Sequence, residues 1–223
     1  MLSEIIIESF GLVVATFVGI FYYRLVNGFY RLLFIQLISW LFLYVLSYMV
    51  TEYQRSKGMS QNNQWVFNLQ ILFETTLLLF AANLFFQNKF AKRMLMFTWV
   101  LFLLFYASRI VAGNFFEFDV ASYSVESILI IVVYTLILFT SFYEVFTIEV
   151  RKPEVWASTG LILYFGCNLP YFSLFNFLNN NYPEMSETLH KHVTDVFSNV
   201  RYLMLAIGFI LVSKTSSTVT QVP

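Results

Sequence analysis

The fold class this sequence predicts is all-α: a polytopic membrane protein, a bundle of seven transmembrane helices with the N-terminus outside and the C-terminus inside. Three observations carry that expectation. The 223 residues are 59% hydrophobic and 12% charged, whereas a soluble domain has about 45–50% apolar and about 25% charged residues. Near-continuous apolar stretches recur along the chain, each of the roughly 20 residues needed to cross about 30 Å of hydrocarbon. Basic residues gather on alternate connectors, the signature of a fixed orientation. A transmembrane β-barrel would instead show alternating segments of about ten residues.

The first span, about residues 5–23, follows Met-Leu-Ser-Glu and lacks the basic leader of a signal peptide, so it reads as a retained helix. Its Gly11-x-x-x-Ala15-x-x-x-Gly19 stripe of small residues suits close helix packing within the molecule. The second span covers 32–50. The third, 65–86, carries Gln70 and Glu74, and the fourth, 94–112, carries Arg109. The fifth, 122–146, holds Glu126 and Glu144. The sixth, 155–178, places Tyr164, Cys167, Asn168 and Tyr171 on one face, and Pro170 frees the carbonyl of Gly166 from its usual helical partner. The seventh, 193–212, carries Asp195, Ser198, Asn199 and Tyr202 at i, i+3, i+4 and i+7, with Arg201 beside them. Polar connectors such as RSKGMSQNN, QNKFAKR and NNNYPEMSETLHKH separate the spans. Residues 1–223 thus form a single seven-helix transmembrane domain with no soluble domain.

With the N-terminus outside, the inner segments hold Arg24, Arg31, Lys89, Lys92, Arg93, Arg151, Lys152 and Lys214. The outer segments hold only Arg55, Lys57 and Lys191. No N-x-[S/T] acceptor is present, which points away from a glycosylated eukaryotic surface.

Ionisable residues within a span cost at least about 2.5–3.5 kcal/mol each and turn toward the bundle interior. Glu8, Glu74, Glu126, Glu144, Asp195, Arg109 and Arg201 lie within the spans. At about 1.5 Å per residue, Glu74, Arg201 and Asn168 fall roughly 12–15 Å below the outer boundary, with Gln70 one turn above Glu74. Glu8, Arg109, Glu126 and Asp195 fall within about 6 Å of it. Two readings follow. The charges are either structural pairs, Glu74–Arg201 and Arg109–Glu126, or the lining of an outward-facing polar cavity formed by Glu74, Arg201, Asn168, Asn199, Asp195, Arg109, Glu126 and Gln70. Four outer-half carboxylates face two arginines, which leaves room in the second reading for a small polar or cationic ligand.

Several classes are excluded. A balance of 13 basic and 13 acidic residues removes a nucleic-acid partner. Only Cys167 is available for disulfide or thiolate chemistry. The two histidines, His190 and His192, are two residues apart at the outer mouth and cannot ligate haem at matched depth on facing helices. Glu187-x-x-His190 is half of a carboxylate-bridged metal motif without its second half. Ser158-Thr159-Gly160 lies near the cytoplasmic end of the sixth span with no histidine on that side, so no catalytic set, cofactor or metal is expected.

The arrangement of seven helices, Pro170 in the sixth and Asp195 in the seventh resembles the microbial rhodopsin plan. In that family helix seven reads Asp-x-x-x-Lys, and its lysine carries retinal. Here the run is Asp195-Val-Phe-Ser-Asn199, so retinal cannot be held covalently. The runs Pro153-Glu-Val-Trp156, Leu163-Tyr-Phe-Gly166-Cys-Asn168 and Val196-Phe-Ser-Asn-Val-Arg201-Tyr-Leu resemble a group of small seven-helix bacterial membrane proteins, similar to the membrane input modules of two-component sensors. That resemblance implies a receptor-like sensor with a cytoplasmic or membrane signalling partner. A small-solute transporter would need polar groups continuing through the inner half and, in many folds, duplicated halves. Neither is visible in the sequence. A lipid-modifying enzyme is weaker still.

Overall fold

The computed structural model describes residues 2–59, 63–113, 115–143 and 152–219. Side chains are described between residues 10 and 142 and between 152 and 214 of those ranges. Glu144, and the side chain of Glu8, lie outside the described residues. Helix is the only regular structure among those described: α1 Leu2–Tyr22, α2 Gly28–Ser56, α3 Gln64–Phe85, α4 Lys89–Ala112, α5 Val120–Tyr143, α6 Pro153–Ser173, α7 Phe175–Asn181, α8 Pro183–Leu189, a π-helical segment His190–Asp195, and α9 Val196–Val219. Among the described residues five helical stretches are long and apolar enough to cross a membrane, and α6 with α7 makes a sixth if the bent pair is one span.

Helix ends follow local chemistry. Asn27 and Asn88 cap α2 and α4 by accepting from the Tyr30 and Phe90 amides at 3.1 and 2.8 Å. Both helices therefore start several residues before the expected apolar runs, and α2 also continues past residue 50 to Ser56. Arg31 and Lys89 consequently belong to helices rather than connectors. Pro153 and Pro183 occupy first-turn positions of α6 and α8, where a missing N–H costs nothing.

Two expectations are corrected here. The run NNNYPEMSETLHKH is helical, divided among α7, α8 and the π-helical segment, because Pro183 and the acidic Glu184 together start a helix. The sixth span does not break at Pro170, which α6 accommodates. The bend of 49° comes one turn later, where Leu174 leaves helical geometry at φ −103° and ψ 2°.

Packing places α1 against α2 and α9, α3 against α2 and α5, and α6 against α5 and α9. These neighbours close a ring in the order α1, α2, α3, α5, α6, α9, with α4 outside it against α3 and α5. Helices α3 and α9 therefore face each other across the ring. Its interior is filled by Tyr30, Leu33, Leu78, Tyr134, Ile137, Phe165 and Phe209. Large apolar side chains such as Phe17, Phe42, Phe97, Leu104 and Phe139 point outward, the surface a hydrocarbon solvent requires.

The small-residue stripe works within the molecule. A Cβ on Gly11 would stand 2.9 Å from the Asn199 backbone on α9, and one on Gly19 would run into the Phe34 ring of α2. Ala15 between them is fully buried. Close approach along α1 depends on these three side chains being small.

Candidate functional site: a buried charge network across the bundle

Arg201 on α9 is completely buried, and Glu74 on α3 is 4% exposed. The Arg201 Nη1 donates to Glu74 Oε1 at 2.6 Å, joining the two facing helices through the centre of the ring. Glu74 also accepts from Gln36 Nε2 at 2.9 Å and, through its other oxygen, from Trp40 Nε1 at 3.0 Å. Three donors on one carboxylate offset much of the cost of removing it from water.

The guanidinium is held equally closely. Its Nη2 donates to the Tyr202 hydroxyl at 2.7 Å. Its central carbon lies 4.0 Å from the ring centre of Tyr164, 4.6 Å from Tyr202 and 5.4 Å from Trp40. Such contacts contribute about 2 kcal/mol or more when desolvated. The planar fork of arginine allows one cation to serve a carboxylate, a phenol and three aromatic faces together. Its Nε makes no hydrogen bond among the described residues.

Glu126 on α5 is a second buried carboxylate at this level, 1% exposed. Its Oε1 lies 2.8 Å from the hydroxyl of Thr75, the residue after Glu74. Its Oε2 has no partner among the described residues. Glu126 thus belongs to the central layer, not the shallow one. Its expected pairing with Arg109 is corrected as well. Arg109 is paired with Asp119 at 3.3 Å on the periphery of the molecule. Helix α5 starts at Val120, two residues before the expected span, so Glu126 lies deeper along it than the count from residue 122 implied.

The remaining expected site residues divide. Asn168 is fully buried on α6, one turn beyond Tyr164, and donates to the Tyr164 carbonyl at 2.8 Å. Gln70 lines a narrow crevice between α2 and α3 with Gln36, Ser39, Trp40 and Glu74, closely packed with no room for a water-sized guest. Asn199 is engaged elsewhere: its Oδ1 accepts from the Gly11 amide at 2.6 Å and its Nδ2 donates to the Asp195 carbonyl at 2.9 Å. That makes it a packing residue of the α1–α9 contact, and Asp195 sits at the end of the π-helical segment above it. The structure therefore unites Glu74, Arg201 and Glu126, sets Asn168 and Gln70 beside them, and places Asn199, Asp195 and Arg109 apart.

Two partners in the network, Gln36 and Trp40, escape a reading of charges alone, and so does Asn68 away from it. Gln36 and Trp40 stand four residues apart on one face of α2, and that spacing within an apolar run is the signal that could have marked them. Asn68, 2% exposed on α3, holds the α4–α5 corner. Its Nδ2 donates to the Phe115 and Glu117 carbonyls at 2.8 and 2.7 Å, while its Oδ1 accepts from the Asp119 amide at 3.0 Å. Asp119 in turn accepts from the Ser122 hydroxyl at 2.6 Å at the start of α5. No family model, curated protein or solved structure matches this chain.

Proposed function

We propose that the protein is a receptor-like sensor of the cell membrane, in a bacterium the inner membrane. In this reading it has seven spans, the N-terminus outside, and a cytoplasmic or membrane signalling partner. A small polar or cationic ligand acts on the Glu74–Arg201 network. The observation that carries the reading is the buried ion pair between opposite helices of the ring, 2.6 Å long and tied into α2 and α6 by Trp40 and Tyr164. A ligand that competes for either charge changes the relation of four helices at once, which is how a local binding event becomes a shift between packed states. Apolar packing by Tyr30, Leu78, Ile137 and Phe209 elsewhere in the ring favours a site of this kind over a conducting path.

Small-solute transport is the second reading, and the 49° break between α6 and α7 favours it, since broken helices frequently line transport sites. Two measurements separate them. A thermal-shift screen of the detergent-solubilised protein against amines should find a stabilising ligand, worth about 2.7 kcal/mol at roughly a hundredfold excess over Kd. Vesicles reconstituted with the protein should show no flux of that ligand. Flux above empty vesicles, lost in Glu74→Gln, would replace the sensor with a transporter.

A further inference from the structure

The Thr75 hydroxyl lies 2.7 Å from the Ile71 carbonyl and 2.8 Å from Glu126 Oε1. It has one hydrogen for two oxygens. Threonine within a helix commonly donates to the carbonyl four residues earlier, the geometry seen here. The hydrogen between Thr75 and Glu126 must then come from the carboxyl group.

Charge balance leads to the same place. Arg201 supplies one positive charge, and Glu74 already takes it while accepting from Gln36 and Trp40. Glu126, 1% exposed, has Thr75 as its hydrogen-bond partner among the described residues, where its Oε2 has none. An ionised carboxylate in that position would be buried with one neutral donor. The titratable groups around it are Glu74 from α3, Tyr106 from α4, Tyr123 on its own helix and Tyr164 from α6, and the cation among its neighbours is Arg201 from α9.

We infer that Glu126 is a proton-binding site inside the bundle: a neutral carboxylic acid that donates to Thr75 beside the Glu74–Arg201 ion pair. Release of its proton would put a second anion next to Arg201 and compete with Glu74 for the guanidinium. The proton therefore governs the bridge between α3 and α9. This goes beyond the sensor reading and does not depend on it, because the proton is present with no ligand added.

Infrared spectroscopy of the full-length protein in lipid at neutral pH tests it. The spectrum should contain a protonated-carboxyl stretch that disappears in Glu126→Gln and changes position in Thr75→Val, which removes the acceptor. Glu126→Gln, a neutral group of the same shape, should melt within about 2 °C of the parent, whereas Glu74→Gln should melt roughly 6 °C or more lower. Should Glu126→Gln fail to fold, the Thr75→Val displacement carries the test. Absence of the band from the parent protein, or a band that neither substitution alters, would overturn the assignment.

Discussion

Arg201 is the largest fully buried side chain of the bundle and the one whose loss has the clearest consequence. Replacing it with leucine leaves the enclosed Glu74 carboxyl with Gln36 and Trp40 as its donors among the described residues. Breaking such a pair typically costs about 3–5 kcal/mol. Arg201→Leu and Glu74→Leu should each lower thermal stability by that order, and the double substitution should recover much of the loss, as a thermal-denaturation double-mutant cycle would reveal. Additive losses would mean that the two side chains do not depend on each other. Arg201→Lys should not rescue the parent stability, because a single ammonium cannot replace the fork that reaches Glu74 and Tyr202 together. This pair was legible in the sequence, since matched depth on two helices and the scarcity of intramembrane cations left few alternatives. The donors around it were not, because Gln36 and Trp40 carry no charge to draw notice.

Between helices, two contacts set how closely the elements approach. Gly11→Ala would bring a methyl group against the backbone of Asn199, which cannot rotate away. It should destabilise the α1–α9 contact by about 1–3 kcal/mol, the usual cost of overpacking, seen as a lower melting temperature. Asn68→Ala would leave the Phe115 and Glu117 carbonyls and the Asp119 amide without their partner. A loss of about 1–3 kcal/mol is expected, with faster hydrogen exchange confined to the α4–α5 corner. Unchanged exchange there would show that Asn68 does not hold it. The small-residue stripe of α1 was readable from its spacing. The role of Asn68 was not, because an asparagine near a helix start gives no indication of which distant carbonyls it will meet. For the same reason a depth argument offers Glu126 as the pair of Arg109, because its actual partner Asp119 stands outside any expected span.

For the whole molecule, orientation is the property most open to test. In a Cys167→Ser background, cysteines placed at Gly58 and Asn180 should react with an impermeant thiol reagent in intact cells. Lys89→Cys and Lys152→Cys should not. Gly58, Asn180 and Lys89 are all exposed, so accessibility across the membrane rather than burial decides their labelling. The reverse pattern would invert the proposed topology and move the Glu74–Arg201 layer toward the other side.

Composition and apolar run length by themselves determined that this chain is helical and built of membrane-length segments, because hydrocarbon tolerates only backbone that satisfies its own hydrogen bonds. They also placed Glu74 and Arg201 at one level, since helix rise converts sequence distance into height. Only the tertiary structure decided azimuth and reach. The ring order sets α3 opposite α9, closes Trp40, Tyr164 and Tyr202 around one guanidinium, draws Glu126 inward to Thr75 and turns Asn199 toward Gly11. A sequence records the height of each side chain along its own helix. Which neighbour it then faces depends on the rotation and packing of every other helix, and that information exists only in the assembled bundle.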